Sequence, residues 1–238
     1  GSTGDHVARN SPGLANVAYL STYTWANPLL ETLESQALVP LFNEFPTELG
    51  LTPKLEEALE RLRADAKYPE LFRAAFPDAQ EPVSQGSIVK ALASFQRTLL
   101  SAGSPYDRYL QGDNAALSRP ARRGMELFFG ERAECYHCHS GRHLSNSFRA
   151  KDTKPQVAQF FNTGLYDLDG KGAYPPDNPG LFEFTHDALD HGRFRVPQLR
   201  NVELTAPYMH DGSIPTLEAV IDHYTSGGRN VTEGPLAG

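Results

Sequence analysis

The feature that most constrains this chain is its single pair of cysteines, Cys135 and Cys138, which are followed at once by His139. Two cysteines cannot cross-link a chain of 238 residues into a disulfide scaffold. The pair therefore serves chemistry rather than cross-linking. The chemistry open to it is a zinc site, a redox dithiol or the attachment of a haem.

The zinc and dithiol alternatives each lack a second signal. A structural zinc ion needs four ligands, and the remaining histidines are scattered along the chain. A thioredoxin-like dithiol accompanies a βαβ pattern, whereas the residues from 118 predict an amphipathic helix closed by Gly130. C-x-x-C-H is typical of c-type haem attachment, in which both thiols form thioethers and the adjacent imidazole ligates the iron. The motif favours haem, and a buried or redox-active cysteine pair stays open.

Composition excludes two other classes of function. The net charge of -7 argues against a nucleic-acid-binding protein, which would carry a basic face. No apolar run approaches the roughly 20 residues that a membrane-spanning helix needs. The chain shows no signal peptide, and its abrupt start leads us to expect a processed or cut N-terminus.

Apolar residues recur at helical spacing in several segments. Residues 27–42 predict a helix that Pro40 stops, and residues 52–76 predict two helices broken near Pro69, with Thr52 as the N-cap. Residues 118–130 predict a helix capped by Ser118. Further helices are predicted at 84–100, with an apolar face of Ile88, Leu92, Phe95 and Leu99, and at 213–228, with Thr216 as N-cap and Gly227 as the stop.

Residues 140–213 contain little helical pattern and form a long, loop-rich stretch. Loops of this length are uncommon unless they have a function, and wrapping a large apolar cofactor is one such function. Strand patterns are weak throughout. The sequence therefore predicts a mainly α fold in which helices and long loops surround a c-type haem.

Several longer stretches carry a more specific signal than the haem motif. They are "ARNSPGLANVAYL" from residue 8, Trp25 with "LETLESQALVPL", "SFQRTLLSAGSPYDRYLQGD" from residue 94, "RRGMELFF" before the haem motif, and "FRVPQLRNVELTAPYMHDGSIPTLEAV" from residue 194. On these stretches the chain resembles the bacterial di-haem cytochrome c peroxidase and MauG family, and most of all its MauG–MbnH branch. The resemblance covers nearly the whole chain and implies cytochrome c-like helical domains.

The chain departs from the family in one large way. Family members carry two C-x-x-C-H motifs, whereas this sequence has one, which matches the second. We therefore expect a fragment that lacks the first haem motif. Residues 1–112 would be the remainder of the N-terminal, peroxidatic domain without its motif, and residues 113–238 the C-terminal domain with its motif.

The resemblance implies an oxidoreductase that uses hydrogen peroxide to oxidise a protein substrate or a small redox protein, with this chain supplying the second, electron-transfer haem. The alternative is a mono-haem electron-transfer cytochrome c without peroxidase activity. Haem attachment to cysteines requires an export-linked maturation system, so we expect a periplasmic protein.

Two lines of reasoning predict different residues as the second axial ligand of the haem iron. Spacing alone favours Met209, because methionine is common in this role in cytochromes c. The resemblance implies Tyr224 instead, because the MauG branch has a tyrosine at this position of the helix after "TLEAV". A phenolate favours ferric and higher iron states more than a thioether does. His223 is a further candidate beside it.

The resemblance also assigns roles to four other residues. Trp25 matches the tryptophan between the two haems, where an indole can relay an electron hole, although a single tryptophan is often only a core residue. Gln36 and Glu48 match the polar pair over the first haem, where a carboxylate would move protons. Glu48 is equally consistent with a solvated surface carboxylate. Arg195 matches an arginine beside the haem propionates.

A calcium ion is implied in addition to haem c. Asn10, Thr205 and Pro207 match the calcium site that lies between the two domains of the family. The amide oxygen of Asn10 and two backbone carbonyls would supply the oxygen ligands that calcium prefers, with water completing the shell.

Overall fold

The computed structural model describes residues 1–149 and 158–228. Within these residues helices predominate, which confirms the mainly α fold class. The two strands pair antiparallel, with Phe161 opposite Phe194. In chain order the elements are α1 Leu33–Phe42, α2 Leu55–Ala64, α3 Tyr68–Ala75, α4 Gln85–Arg97, α5 Pro105–Leu110, α6 Arg119–Phe128, β1 Phe160–Asn162, α7 Phe182–Thr185, β2 Arg193–Arg195 and α8 Leu217–Ser226.

The chain divides into two compact units. The first consists of Gly1–Val7 with Leu30–Thr98, and the second of Ala8–Leu29 with Leu99–Gly238. The predicted domains, 1–112 and 113–238, were assigned by resemblance, and they stay a prediction. Among the helices described, none is long and apolar enough to cross a membrane.

The first unit is built from α1 to α4. Thr32 caps α1 by accepting the Ser35 N–H, at 3.0 Å, and Leu33 and Ala37 are buried. The prediction that Pro40 stops this helix is wrong, because α1 continues to Phe42. Pro40 lies in the last turn, where the missing N–H removes only one hydrogen bond of the helix.

Two further predictions in this unit have opposite outcomes. Thr52 is not an N-cap: Thr52–Lys54 form a short 3-10 turn, and the Thr52 hydroxyl donates to the Phe42 carbonyl, at 3.2 Å. The predicted break near Pro69 is confirmed, since α2 ends at Ala64 and Pro69 lies in the first turn of α3. A small core of Leu59, Phe72 and Val83 holds α2 and α3 together.

Helix α4 is confirmed, and Ser84 caps it, but a different face is buried from the one predicted. Ser87, Val89 and Ala93 are buried, whereas Leu92 and Phe95 are exposed. The helix packs through its small side chains, which allow a neighbouring backbone to approach closely. Apolar periodicity therefore located the helix and misassigned its buried face.

The second unit contains α5 to α8 and the strand pair. Ser118 caps α6 and Thr216 caps α8 as predicted, and Gly227 ends α8 with a φ of 80°. The predicted loop-rich stretch holds only short elements in its described part, and residues 150–157 of it lie outside that part. The core of this unit consists of Trp25, Ala26, Leu165, Tyr166, Tyr174, Phe194 and Ile214.

Candidate haem-binding site

The two cysteines lie in a tight turn. Cys135–His137 form a 3-10 turn that Glu134 opens with a φ of 50°, and the His139 N–H donates to the Cys135 carbonyl, at 2.8 Å. Both side chains are half-buried and carry thiols. Burial raises the pKa of each thiol. Catalytic dithiols instead have a lowered pKa, so the surroundings do not favour a redox-active pair.

The imidazole of His139 is held in one tautomer. Its Nδ1 lies 2.9 Å from the Leu144 carbonyl, and a carbonyl can only accept, so Nδ1 carries the hydrogen. Burial lowers the pKa of His139, while the carbonyls of Leu144 and Pro197 oppose this shift. The ring is therefore neutral, and Nε2 keeps the lone pair that a haem iron would bind.

Tyr224 on α8 lies near the two thiols. Its pKa is raised to about 12, first by burial and then by electrostatic interaction with Cys138 and Cys135. Yet 51% of the residue's surface is exposed. Both observations fit a phenol on a concave surface, where protein atoms surround the ring while solvent still reaches it. Ile221, one turn earlier on the same face of α8, is exposed as well.

The two competing ligands are otherwise engaged. Met209 packs against the core of the second unit around Trp25. His223 is buried, and its Nε2 lies 2.8 Å from the Thr163 carbonyl, so this nitrogen carries a hydrogen. Tyr224 thus differs from both residues in having an exposed side chain that interacts with the two thiols, and the choice of ligand stays a prediction.

Arg195 presents a buried cation. It is only 3% exposed, and its Nε and Nη1 donate to the carbonyls of Thr24, at 2.7 Å, and Val196, at 3.2 Å. In the described ranges no carboxylate forms an ion pair with it. Burial lowers the pKa to about 10, so the guanidinium stays charged at neutral pH. A buried cation whose hydrogen bonds go to carbonyl oxygens is suited to an anionic ligand group such as a propionate.

Three residues that sequence reasoning missed each have a buried polar side-chain atom without a hydrogen-bond partner. In the described structure these atoms are the hydroxyls of Thr22 and Thr24 and the Gln198 Oε1. Of the three residues, Thr24 contacts Arg195 directly, through its backbone carbonyl. No motif marks isolated threonines, and only the fold brings them to this place.

Helix α6, which leads into the cysteine turn, has an uncovered apolar face. Met125 and Phe128 lie at helical spacing on it, and no residue between 119 and 128 is buried in the described structure. The Phe128 ring is 6.3 Å from the His139 ring. A large apolar group beside His139 would cover this surface.

Trp25 lies between Arg195 and Asn10. Its indole N–H donates to the Asn10 carbonyl, at 2.6 Å, and its own carbonyl accepts the Arg195 N–H, at 2.7 Å. The ring is buried and edge-on to His210, with the centroids 6.5 Å apart. Trp25 is thus a core residue by position. Its neighbour His210 stacks in turn on Phe194, with the centroids 3.6 Å apart.

The structure brings Asn10 and Pro207 together. The Asn10 Nδ2 donates to the Pro207 carbonyl, at 2.8 Å, and Thr205 is exposed two residues earlier. Within the described residues no group of three or more His, Cys, Asp or Glu side chains is suited to a metal ion. A site here would use amide and carbonyl oxygens, and rotation of the Asn10 amide would present its oxygen.

Gln36 and Glu48 belong to the other compact unit. Gln36 is half-buried on α1. Glu48 is half-buried in the loop after α1, where its carbonyl accepts the Ser2 N–H, at 2.6 Å. The next residue, Leu49, donates to the Pro40 carbonyl, at 3.0 Å, so this loop is held against the end of α1.

The second unit therefore contains a C-x-x-C-H turn, a histidine whose Nδ1 lies against the Leu144 carbonyl, a phenol near both thiols, and a buried guanidinium that forms no ion pair with the described residues. These side chains fit a covalently attached haem, and they define the class of c-type haem proteins.

Comparisons with known proteins identify the family. A sequence model described as di-haem cytochrome c peroxidase matches residues 1–115. The methylamine utilization protein MauG of Methylorubrum extorquens is 36% identical over 225 residues, which cover 93% of this chain and 56% of that protein. The cytochrome c551 peroxidase of Pseudomonas aeruginosa is 32% identical over 213 residues, which cover 90% of this chain and 56% of that protein.

Comparison with solved structures points to the same family. A MauG-like protein associated with microbial copper homeostasis superposes with a TM-score of 0.95 at 51% identity, over 100% of this chain and 68% of that one. The di-haem peroxidase BthA of Burkholderia thailandensis, at 18% identity and a TM-score of 0.69, shares the fold over 93% of this chain and 58% of that one. This chain belongs to the di-haem cytochrome c peroxidase and MauG family. It spans little more than half the length of the curated relatives it matches.

Proposed function

We propose that this chain is the part of a di-haem oxidase that carries the second, electron-transfer haem, and that the whole protein uses hydrogen peroxide to oxidise a protein substrate or a small redox protein. The observation that carries the proposal is the proximity of the Tyr224 phenol to the thiols of Cys138 and Cys135, beside a His139 whose Nε2 is free. Family membership supports the oxidoreductase class.

The haem-binding residues would act as follows. Cys135 and Cys138 would hold the haem through thioethers, and His139 and Tyr224 would ligate its iron. Bound haem would supply the electrons that reduce peroxide. The Tyr224 phenolate, a hard anionic ligand, favours oxidised iron over ferrous iron. Arg195 pairs with a propionate and so offsets the cost of its own burial.

The other predicted residues act around this haem. Trp25 relays an electron hole toward the first haem of the family. Glu48, with Gln36 beside it, holds and moves the proton that peroxide reduction requires in the peroxidatic part. Asn10, Thr205 and Pro207 bind calcium. The periplasm is the compartment that this chemistry implies, because thioether attachment follows export.

A finer assignment comes from the 51% identical MauG-like protein, which is associated with microbial copper homeostasis. We infer that this protein also serves copper homeostasis, where its substrate would be a protein rather than a small molecule. The competing hypothesis is that the partner is a small redox protein that donates electrons, as in the cytochrome c peroxidases.

The first experiment counts haems. Pyridine haemochrome and intact mass on the natural, full-length protein should give two covalent haems, one of them on the peptide that contains Cys135. One haem on the full-length protein would instead support the mono-haem electron-transfer cytochrome.

The second experiment tests the ligand. Tyr224→Phe should change the ferric spectrum and raise the reduction potential, because an anionic ligand is lost. Met209→Leu is the matched control and should leave both nearly unchanged. A spectrum that survives Tyr224→Phe and collapses in Met209→Leu would refute the assignment.

A further inference from the structure

A second tyrosine in this unit has an acid–base partner that the haem site does not use. The Tyr166 hydroxyl donates to Asp211 Oδ2, at 2.5 Å, and the ring is buried in the core beside Trp25. The Ser213 N–H donates to the other carboxylate oxygen, at 3.0 Å. Burial raises the pKa of Asp211, but the hydrogen bonds from Tyr166 and Ser213 outweigh it and lower the pKa below its usual value. Asp211 is therefore an ionised base in contact with the phenol.

Tyr166 also belongs to a continuous group of aromatic rings. Its centroid is 5.4 Å from that of Tyr174 and 6.3 Å from that of His210, and His210 is 6.5 Å from Trp25. Tyr174 in turn interacts electrostatically with Tyr224. Short ring-to-ring steps thus connect Tyr166, Tyr174, His210 and Trp25, and the link from this group to the proposed haem ligand is electrostatic.

We propose that Tyr166 is a redox-active tyrosine and that Asp211 is the base that accepts its proton. In the step, the Tyr166 ring gives one electron to the haem that hydrogen peroxide has oxidised, and this haem is reduced by one electron. The phenolic O–H bond breaks, and the proton moves to Asp211 Oδ2. The products are a neutral phenoxyl radical and a protonated carboxyl group. This use of peroxide as the oxidant rests on the proposed function.

The neighbouring Tyr174 shows why the base matters. Its hydroxyl donates to Asn162 Oδ1, at 2.7 Å, and receives the Leu165 N–H, at 3.1 Å. An amide oxygen cannot keep a proton at neutral pH. The Asn162 amide is therefore not a base that could accept the Tyr174 proton when this ring is oxidised. Loss of an electron makes a phenol strongly acidic, so a buried tyrosine is oxidised readily only where a base takes the proton. Tyr174 is therefore the matched control within the same cluster.

The test is electron paramagnetic resonance of the haem-loaded, full-length protein, frozen after oxidation by two independent routes. One oxidant is hydrogen peroxide, and the other is a flash-generated ruthenium(III) tris-bipyridine complex, which does not need peroxide chemistry. Ring-deuterated tyrosine should narrow the radical signal and so identify it as tyrosyl. In the Tyr166→Phe variant the tyrosyl signal should be at least tenfold weaker than in wild type, whereas in Tyr174→Phe its intensity should be unchanged.

Two further samples separate a redox role from a structural one. The Asp211→Asn variant should form the radical at least tenfold more slowly than wild type. Incorporation of 2,3-difluorotyrosine at position 166 keeps the hydroxyl and the packing, and its fluorine couplings should appear in the spectrum. This sample also decides the question if Asp211→Asn does not fold.

The outcomes are distinct. A tyrosyl signal that persists in Tyr166→Phe, or an absent tyrosyl signal with both oxidants in wild type, overturns the proposal. Haem oxidation by peroxide without a tyrosyl radical from either oxidant overturns the proposal for Tyr166 and leaves the proposed function intact. A Tyr166 radical after the flash, with a haem that does not react with peroxide, supports Tyr166 and overturns the proposed function.

Discussion

The ion pair of Asp107 with Arg200 offers a quantitative test of how the loop after the haem motif is held. Both side chains are 5% exposed, and the guanidinium donates to both carboxylate oxygens, at 2.5 and 2.7 Å. Arg200 Nη2 also donates to the Arg142 carbonyl, at 2.6 Å, three residues after His139. The backbone N–H and hydroxyl of Ser104 complete the carboxylate's partners.

Removing one member of a buried pair leaves the other charge without its counterion, which costs about 3–5 kcal/mol. We expect the lower end, about 3 kcal/mol, for Asp107→Ala, because Arg200 retains the Arg142 carbonyl. For a chain of this size, that lowers the melting temperature by roughly 6–12 °C. The double variant Asp107→Leu with Arg200→Met removes both charges and should be less destabilised than the sum of the single variants.

Thermal and urea unfolding of the haem-loaded protein would measure these values. The matched control is the exposed pair of Arg97 with Glu34, whose side chains are 44% and 34% exposed, and Glu34→Gln should cost about 1 kcal/mol or less. Equal costs for Asp107→Ala and Glu34→Gln would refute the reasoning. So would full additivity in the double variant, because it would mean that the two charges do not interact.

Asp107 also gives a pH dependence of defined sign. The hydrogen bonds and charge of Arg200 hold the pKa of this carboxyl well below its usual range. The stabilisation is therefore complete above the unfolded-state pKa of about 3.9 and is lost as pH falls toward the folded-state value. Below about pH 4, wild type should lose stability more steeply than Asp107→Asn, which has no titrating group there. Parallel slopes would contradict the assignment.

Three further predictions concern the surroundings of the site. Thr216→Ala removes the N-cap of α8 and should cost about 1 kcal/mol of unfolding free energy by urea titration, whereas Thr225→Ala in the same helix should cost less. Burial, with the charges of Arg200 and Arg142, lowers the pKa of His143 to about 4, so stability should fall as pH drops from about 6.5 to 4. His143→Phe should reduce this slope between pH 7.5 and 5, and His210, whose pKa burial also lowers to about 4, should keep part of it. Calcium chelation should lower the melting temperature of wild type and should change that of Asn10→Ala far less; equal responses would argue against the calcium site.

Sequence reasoning succeeded where local chemistry decides the structure. The caps at Ser118 and Thr216 and the stop at Gly227 follow from side-chain hydrogen bonds and a left-handed backbone, which neighbouring residues specify. The Cys135 motif is a signal of the same local kind, because its spacing lies within five residues, and its role in haem attachment stays a prediction. Such signals need no knowledge of the tertiary fold.

Failures occurred where tertiary contacts outweigh local preference. Pro40 was expected to end α1, but a proline in the last turn costs little when the helix is packed. Leu92 and Phe95 were expected to face the core, and α4 packs instead through Ser87 and Ala93. Periodicity reports the apolar side of a helix, not the side that a particular neighbour covers.

Tyr166 and Asp211 could not have been found from spacing, because 45 residues separate them and no motif joins them. The surface around the haem motif was difficult for a related reason. In the described structure the apolar sides of α6 and α8 stay largely uncovered by protein, and Tyr224 is half exposed among them. In an ordinary core, such faces would be buried against other side chains. Phe128 of α6 lies 6.3 Å from the His139 ring, and Tyr224 of α8 interacts electrostatically with both thiols, so we expect these faces to pack against the porphyrin that the same residues would hold.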